Sequence, residues 1–421
     1  MFENLVSQNI SKSIISDIKN NSFPRSVLYS GPVGSGKLTA ALETARIFGC
    51  RAEKKGQWQC ECSACLQSKA LTFNNIMLLG PRDCSLEISA AKKTFLEALS
   101  ANASYLNATR YLFLRSIRKL TLRFNPILWE GENNLSKIGN IIQGINENLE
   151  LLDFPRELPE YEKVSELCDS LEKDALKLEE DFLYDSIPVN QIRNLEDWAR
   201  IKSDEGKKTV IIENADRMQN SVRNALLKIL EEPPQDCVFI LLTSKRNSIM
   251  QTILSRVRTY TFSERTAEQQ KSVISRVYHN ESFTGNINEY LLTFLPVSPE
   301  VIKKSAAEFC KKIALRQIPD CAEVIKECGN FSPRIELDIF LKEVLIYLRK
   351  VFTAAGENNE QFNKNAQAFE FLHDLSVILH SCRDNIMLYN QTPLSAFEIL
   401  LRDISALNIK YEGVMKICVN M

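Results

Sequence analysis

The sequence predicts an α/β protein built around a phosphate-binding loop, with long all-helical additions, on three observations. A short apolar run, Val27-Leu28-Tyr29, enters Gly31-Pro32-Val33-Gly34-Ser35-Gly36-Lys37, and a helix with Ala40, Ala41, Ala45, Ile47 and Phe48 at apolar spacing follows. Two further runs, Val210-Ile211-Ile212 and Cys237–Thr243, are apolar throughout, as strands buried on both faces of a parallel sheet must be. Residues 85–185, by contrast, carry helical periodicity and no strand signal.

The glycine loop is the most informative stretch. Its glycines let backbone N–H groups converge, the following helix adds partial positive charge, and Lys37 adds a full one. The next residue should be Ser or Thr to hold magnesium, but it is Leu38. Thr39 lies one position on, about 100° further round a helix. The loop is therefore shaped for phosphates without its usual magnesium hydroxyl. Gly49 can end the helix in a left-handed conformation. Ahead of the loop, residues 1–24 read as an amphipathic helix through Val6, Ile10, Ile14, Ile15 and Ile18, stopped by Pro24.

After the loop helix come Cys50, Cys60, Cys62 and Cys65. Four thiolates close a tetrahedral zinc site and leave no open position, so such a site is structural. The alternative is four free, partly buried thiols. Residues 75–80 read as another buried strand. Within the helical stretch, residues 105–124 hold Arg110, Arg115, Arg118, Lys119 and Arg123 with no acid, whereas residues 147–185 hold fourteen acids against four bases. The basic part could bind nucleic acid; packing against the acidic part as a helical hairpin is the favoured reading.

A helix opens after Ile187-Pro188 and runs through Trp198. The strand at 208–212 ends in Glu213-Asn214, where a carboxylate on a parallel strand tip would face magnesium. Asn214 cannot take a proton as a carboxylate does, so hydrolysis at this site is expected to be slow. Asn220 or Ser221 can cap the next helix, which Pro233-Pro234 ends. Thr243 closes one strand, and Arg256 precedes a short last one. That arginine is either a solvated charge or a guanidinium offered to a neighbouring subunit's γ-phosphate.

Composition bounds the rest. The chain of 421 residues suggests two or three domains, and 44% apolar with 25% charged residues is ordinary for a soluble protein. A net charge of −1 argues against one continuous basic surface. No run approaches the roughly 20 apolar residues of a membrane helix, and the N-terminus lacks a signal-peptide pattern, so a cytoplasmic protein without membrane contact is expected. Twelve cysteines then read as thiols and metal ligands rather than a disulfide framework.

GPVGSGKL (31–38), the Cys50/Cys60/Cys62/Cys65 knuckle, IPVNQIR (187–193), TVIIENADRM (209–218), NALLKILEEPP (224–234), FILLTS (239–244) and ILSR (253–256) together resemble the bacterial clamp-loader ATPases, the gamma/tau and delta-prime subunits of DNA polymerase III. The resemblance covers residues 1–80 and 187–264, with no counterpart expected for 85–185. It implies an AAA+ core of five parallel strands (1–84 and 186–264, zinc knuckle 50–65), an all-α insertion (85–185), a helical lid (265–330) and a C-terminal helical collar (331–421). It also implies a nucleotide site at Gly31, Gly34, Ser35, Gly36, Lys37, Leu38, Thr39, Glu213, Asn214 and Thr243, structural zinc, and a degenerate site for ATP and Mg2+. Leu38 and Glu213-Asn214 depart from the gamma/tau motor pattern and resemble the delta-prime one, with Arg256 acting in trans. The implied partners are gamma/tau and delta subunits in a hetero-pentamer, the sliding clamp, and primer–template DNA.

Overall fold

Five strands form one all-parallel sheet: β1 (Ser26–Ser30), β2 (Ile76–Leu79), β3 (Lys208–Ile212), β4 (Cys237–Thr243) and β5 (Arg258–Thr261), in the order β2-β3-β4-β1-β5. This is the five-stranded parallel α/β core that the sequence predicts. The computed structural model describes all residues except 81–83, 185, 204–205, 333, 359–365, 388, 390 and 412–421, and the side chains of 354–358 and 366–368 are likewise not described. Register brings the strand ends into line, with Ser30 beside Thr243 and Leu79 beside Ile212. The loop after β1 and the tips of β3 and β4 therefore lie along one edge.

One face of the sheet is covered by α1 (Ile10–Lys19), α2 (Lys37–Gly49) and α3 (Ser63–Ala70), with Ile14, Ala40, Ala41 and Ile47 buried against Val27, Tyr29 and Ile240. Gly49 is not the expected left-handed stop. It is the last residue of α2, and a Cβ there would lie 2.7 Å from the Phe73 ring, so close packing explains the glycine.

The other face shares a continuous core with the helical segment: α4 (Ser85–Ser100), α5 (Leu106–Thr121), a 3₁₀ turn (Leu122–Phe124), α6 (Leu135–Leu152) and α7 (Tyr161–Phe182). Phe95, Phe113, Ile117, Leu149 and Leu171 are buried in it together with Met77, Val210 and Phe239 of the strands. The charge complementarity expected between basic and acidic parts exists, but not as a simple hairpin. Helix α5 packs mainly on α4, where Lys119 meets Glu87, and acidic α7 offers Asp169 and Glu172 to Lys92 of α4.

The core continues with α8 (Val189–Arg200), α9 (Asn220–Glu231) and α10 (Gln251–Leu254). Neither Asn220 nor Ser221 caps α9; its N-cap is Gln219, which makes no side-chain capping bond. After β5, α11 (Ala267–Tyr278) opens with a full capping box between Thr266 and Gln269, and α12 (Ile287–Leu292) follows.

The chain divides into two compact units, Met1–Leu291 and Leu292–Met421. The second contains α13 (Pro299–Ala314), α14 (Cys321–Glu327), α15 (Ile335–Asn358), α16 (Ala366–Met387) and α17 (Pro393–Lys410) around Phe309, Phe340, Phe371 and Phe397. On α16, Phe371, Leu375 and Leu379 are buried, whereas Phe369 is 73% exposed. Two positions on a helix differ by about 200°, so Phe369 and Phe371 cannot share a face. Pro333, near the expected last boundary, lies outside the described residues.

Candidate nucleotide site and cysteine knuckle

The glycine loop has the geometry that its sequence demands. Gly36 is left-handed at φ +89°, and a Cβ on Gly31 would lie 2.5 Å from the Phe262 carbonyl oxygen. Lys37 folds over the loop, donating to the Gly31 and Pro32 carbonyls at 2.6 Å each and to Ser35 Oγ at 3.4 Å. Burial pushes its amine down to about 8, against the pull of the Glu213 and Asp216 carboxylates. Arg265 grips the loop from outside, donating to the Gly34 carbonyl and, from Nε and Nη2, to the Val6 carbonyl at 3.2 and 3.0 Å. A cavity of about 220 Å³ opens beside the loop between Pro32, Val33, Ser35, Arg265, Gln270 and Ile287.

The magnesium side of the site is built differently. Leu38 packs against the apolar core beneath α2, and Thr39 stands in the first turn of that helix. Glu213 follows β3 and approaches Gly80, where a Cβ would come within 2.8 Å of its own. Its carboxylate is taken by Arg123, which the 3₁₀ turn after α5 delivers to the strand tip. Arg123 is 4% exposed, and its carbonyl accepts from Trp129 Nε1 at 2.9 Å, which locks the turn. Asn214 is left-handed at φ +47°, a conformation that Asn tolerates. Thr243 Oγ1 donates to Asp216 Oδ1 at 2.6 Å and accepts from the Lys245 N–H at 3.0 Å. No hydroxyl follows Lys37, and the strand-tip acid carries a guanidinium, so these residues do not fit a magnesium ion.

The sulfurs of Cys50, Cys60, Cys62 and Cys65 all lie within 4.8 Å of one another, and Cys50 and Cys60 are 3.8 Å apart. A tetrahedron with Zn–S bonds of about 2.3 Å has edges of about 3.8 Å, so the four thiols fit the ion. Burial raises the Cys62 thiol, but N–H groups of Arg51 and Cys65 outweigh it and hold the thiol at about 6. Arg46, 2% exposed, donates to Cys65 Sγ at 3.2 Å, to the Gln57 and Gly56 carbonyls at 3.0 and 2.9 Å, and to both oxygens of Glu43. The nearby α3 carbonyl of Lys69 accepts from Tyr111 and from Arg115 of α5 at 2.5 and 2.9 Å.

Arg256 is on the surface, its guanidinium paired with Glu231 Oε2 at 3.0 Å and donating to the Thr252 carbonyl at 2.9 Å. It stands apart from the residues that gather at the loop. Sequence reasoning did not assign Arg46, Arg123, Asp216 or Arg265 to these sites. Only Arg46 left a local signal, since it and Glu43 sit on an otherwise apolar face of α2.

A parallel α/β core with a phosphate-type loop, an occupied strand-tip acid and a four-cysteine knuckle is a phosphate-loop module with an altered cation side. The chain belongs to the family described as DNA polymerase III, delta subunit, whose sequence model matches residues 6–128 and 141–266. These ranges run into the 85–185 helices from both sides. Over 78 residues the chain is 38% identical to DNA polymerase III subunit delta' of Bacillus subtilis, covering 18% of this chain and 24% of the relative. It is 37% identical over 81 residues to subunit tau of the same organism, covering 19% and 14%. The matched stretches thus span about a quarter or less of these relatives. A gamma subunit-related protein of Thermotoga maritima aligns in structure over 51% of this chain and 78% of that one, with 17% identity and a TM-score of 0.24.

Proposed function

We propose that this chain is a delta-prime-type subunit of a clamp loader, a largely non-hydrolysing member that helps place the sliding clamp on primer–template DNA in the cytoplasm. The observation that carries this reading is the Arg123–Glu213 pair, taken with Leu38: the cation side of the site is filled by protein. Similarity alone does not choose between subunits, since identity to the delta' and tau relatives is nearly equal. The chemistry of the site supports the delta-prime reading. Gly31, Gly34, Ser35, Gly36 and Lys37 remain a phosphate cradle, with Thr243 beside it, but lack the groups that drive turnover.

Arg256 then serves a neighbouring gamma/tau subunit of a hetero-pentamer that also contains delta. Its pair with Glu231 is half in solvent, and such pairs are worth about 0–1 kcal/mol, so exchanging Glu231 for a phosphate costs little. A guanidinium delivered in trans stabilises charge on the transferring phosphoryl group. The lid (265–330) and collar (331–421) belong to the same reading. In a reconstituted loader, Arg256→Ala should lower DNA-stimulated hydrolysis at least about tenfold. Unchanged hydrolysis would remove the trans role. Steady hydrolysis by this chain alone, lost in Lys37→Ala, would instead make it the gamma/tau-like motor.

A further inference from the structure

The helical segment reaches the sheet at a chemically specific point. Its 3₁₀ turn carries Arg123 to Glu213, the carboxylate that would otherwise draw a divalent cation to the tip of β3. Trp129 holds the turn by two contacts: its ring stacks on Phe124 at 5.3 Å, and its Nε1 donates to the Arg123 carbonyl at 2.9 Å. Glu179 of α7, buried to 4%, faces the same region and accepts from the Cys84 N–H at 3.1 Å. Next door, Lys119 spends its charge on Glu87, and Arg118 on Asp153. Arg123 is thus the member of the basic stretch that the fold directs to the nucleotide edge.

We propose that Arg123 is a built-in replacement for the divalent cation, so that the Gly31–Lys37 loop binds the phosphates of a nucleoside triphosphate without any metal ion. Electrostatics gives the reason. A bare Glu213 carboxylate near the phosphates would repel them unless a cation intervened, and a fixed guanidinium cancels that charge permanently. Leu38 fits the same design, since a site with no cation has no use for a hydroxyl to hold one. The helical segment, on this view, is the part of the chain that makes the site independent of metal. The inference rests on the phosphate-cradle reading above and is tested so that the two can fail separately.

The experiment titrates a fluorescent ATP analogue against the full chain in millimolar magnesium and in EDTA, with Lys37→Ala as the loop control. Wild type should bind equally, within about twofold, in both buffers. Arg123→Met should bind at least about fivefold more weakly in EDTA and recover in magnesium, the size of a modest coupling between two ligands. Arg123→Lys, which keeps the charge, should behave as wild type, and Arg123→Met/Glu213→Gln should lose the magnesium dependence again. Wild-type binding that collapses in EDTA would overturn the inference while leaving the cradle intact. An Arg123→Met chain that binds alike in both buffers would overturn it too. Absence of binding by wild type in either buffer would overturn the cradle and the inference together.

Discussion

Arg46 is a fully buried guanidinium that answers four demands at once. It neutralises Glu43, satisfies the carbonyls of Gly56 and Gln57, and donates an N–H to Cys65 Sγ. Donors to a metal-bound sulfur spread its negative charge and orient it, and losing one costs about 10–100-fold in metal affinity. The chain should carry about one equivalent of zinc by elemental analysis, and Cys62→Ser should lose it. Arg46→Met should surrender zinc to a competing chelator at least about tenfold more readily. Because that change also strands a buried Glu43, at a cost of about 3–5 kcal/mol, the Glu43→Gln/Arg46→Met pair is the better variant. Zinc retention unchanged in the pair would show that the N–H···S bond does nothing for the metal.

At the scale of elements, α5 shows how misleading a run of basic residues can be. Read alone, Arg110 to Arg123 looks like a strip for a phosphate backbone. In the fold each cation of α5 and of the 3₁₀ turn after it has an internal address: Arg110 on the carbonyls of Leu152, Asp153 and Arg156, Arg115 on Lys69, Arg118 on Asp153, Lys119 on Glu87, Arg123 on Glu213. The helix is a connector that ties the knuckle, the helical segment and the strand tip together. Arg110→Ala should therefore destabilise the chain by about 1–3 kcal/mol in denaturant titration, because the buried Leu152 carbonyl and two less buried carbonyls lose their donor. Arg118→Ala and Lys119→Ala should leave DNA affinity of the full chain within about twofold of wild type, measured at two salt concentrations. A steep salt-dependent loss would restore the nucleic-acid reading of this helix.

For the whole molecule, the second unit carries its own titratable element. Glu336, fully buried at the start of α15, accepts from the Val297 N–H at 3.3 Å and lies against Gly329, where a Cβ would meet its Oε2 at 2.5 Å. Burial raises its carboxyl to about 7, against the lowering effect of the Val297 N–H. Between its ordinary value and about 7 the folded chain therefore holds a proton that the unfolded chain has released. Stability must fall as pH rises through this window. The melting temperature should drop by about a few degrees from pH 5 to pH 8, and Glu336→Gln should flatten that slope. A variant as pH-sensitive as wild type would assign the effect elsewhere.

Local chemistry was legible along the chain, because it depends on neighbours in sequence. The glycine spacing and Lys37, the apolar strands, the four cysteines and the Pro233-Pro234 stop each act within a dozen or so residues, and each is found as read. The loss of a magnesium ligand at Leu38 needed no fold to be seen. Partner choice across long loops was not legible, since a charge in sequence carries no mark of the acid it will meet. Arg123 finds Glu213 90 residues away, and Arg265 finds Val6 at a separation of 259 residues. The same limit produced the misreadings at Gly49 and at the start of α9, where the folded surroundings overrode a plausible local signal. The sequence marked this candidate nucleotide site as incomplete; only the tertiary structure showed that a guanidinium from the helical segment pairs with its strand-tip acid, because desolvated opposite charges must pair wherever the fold brings them together.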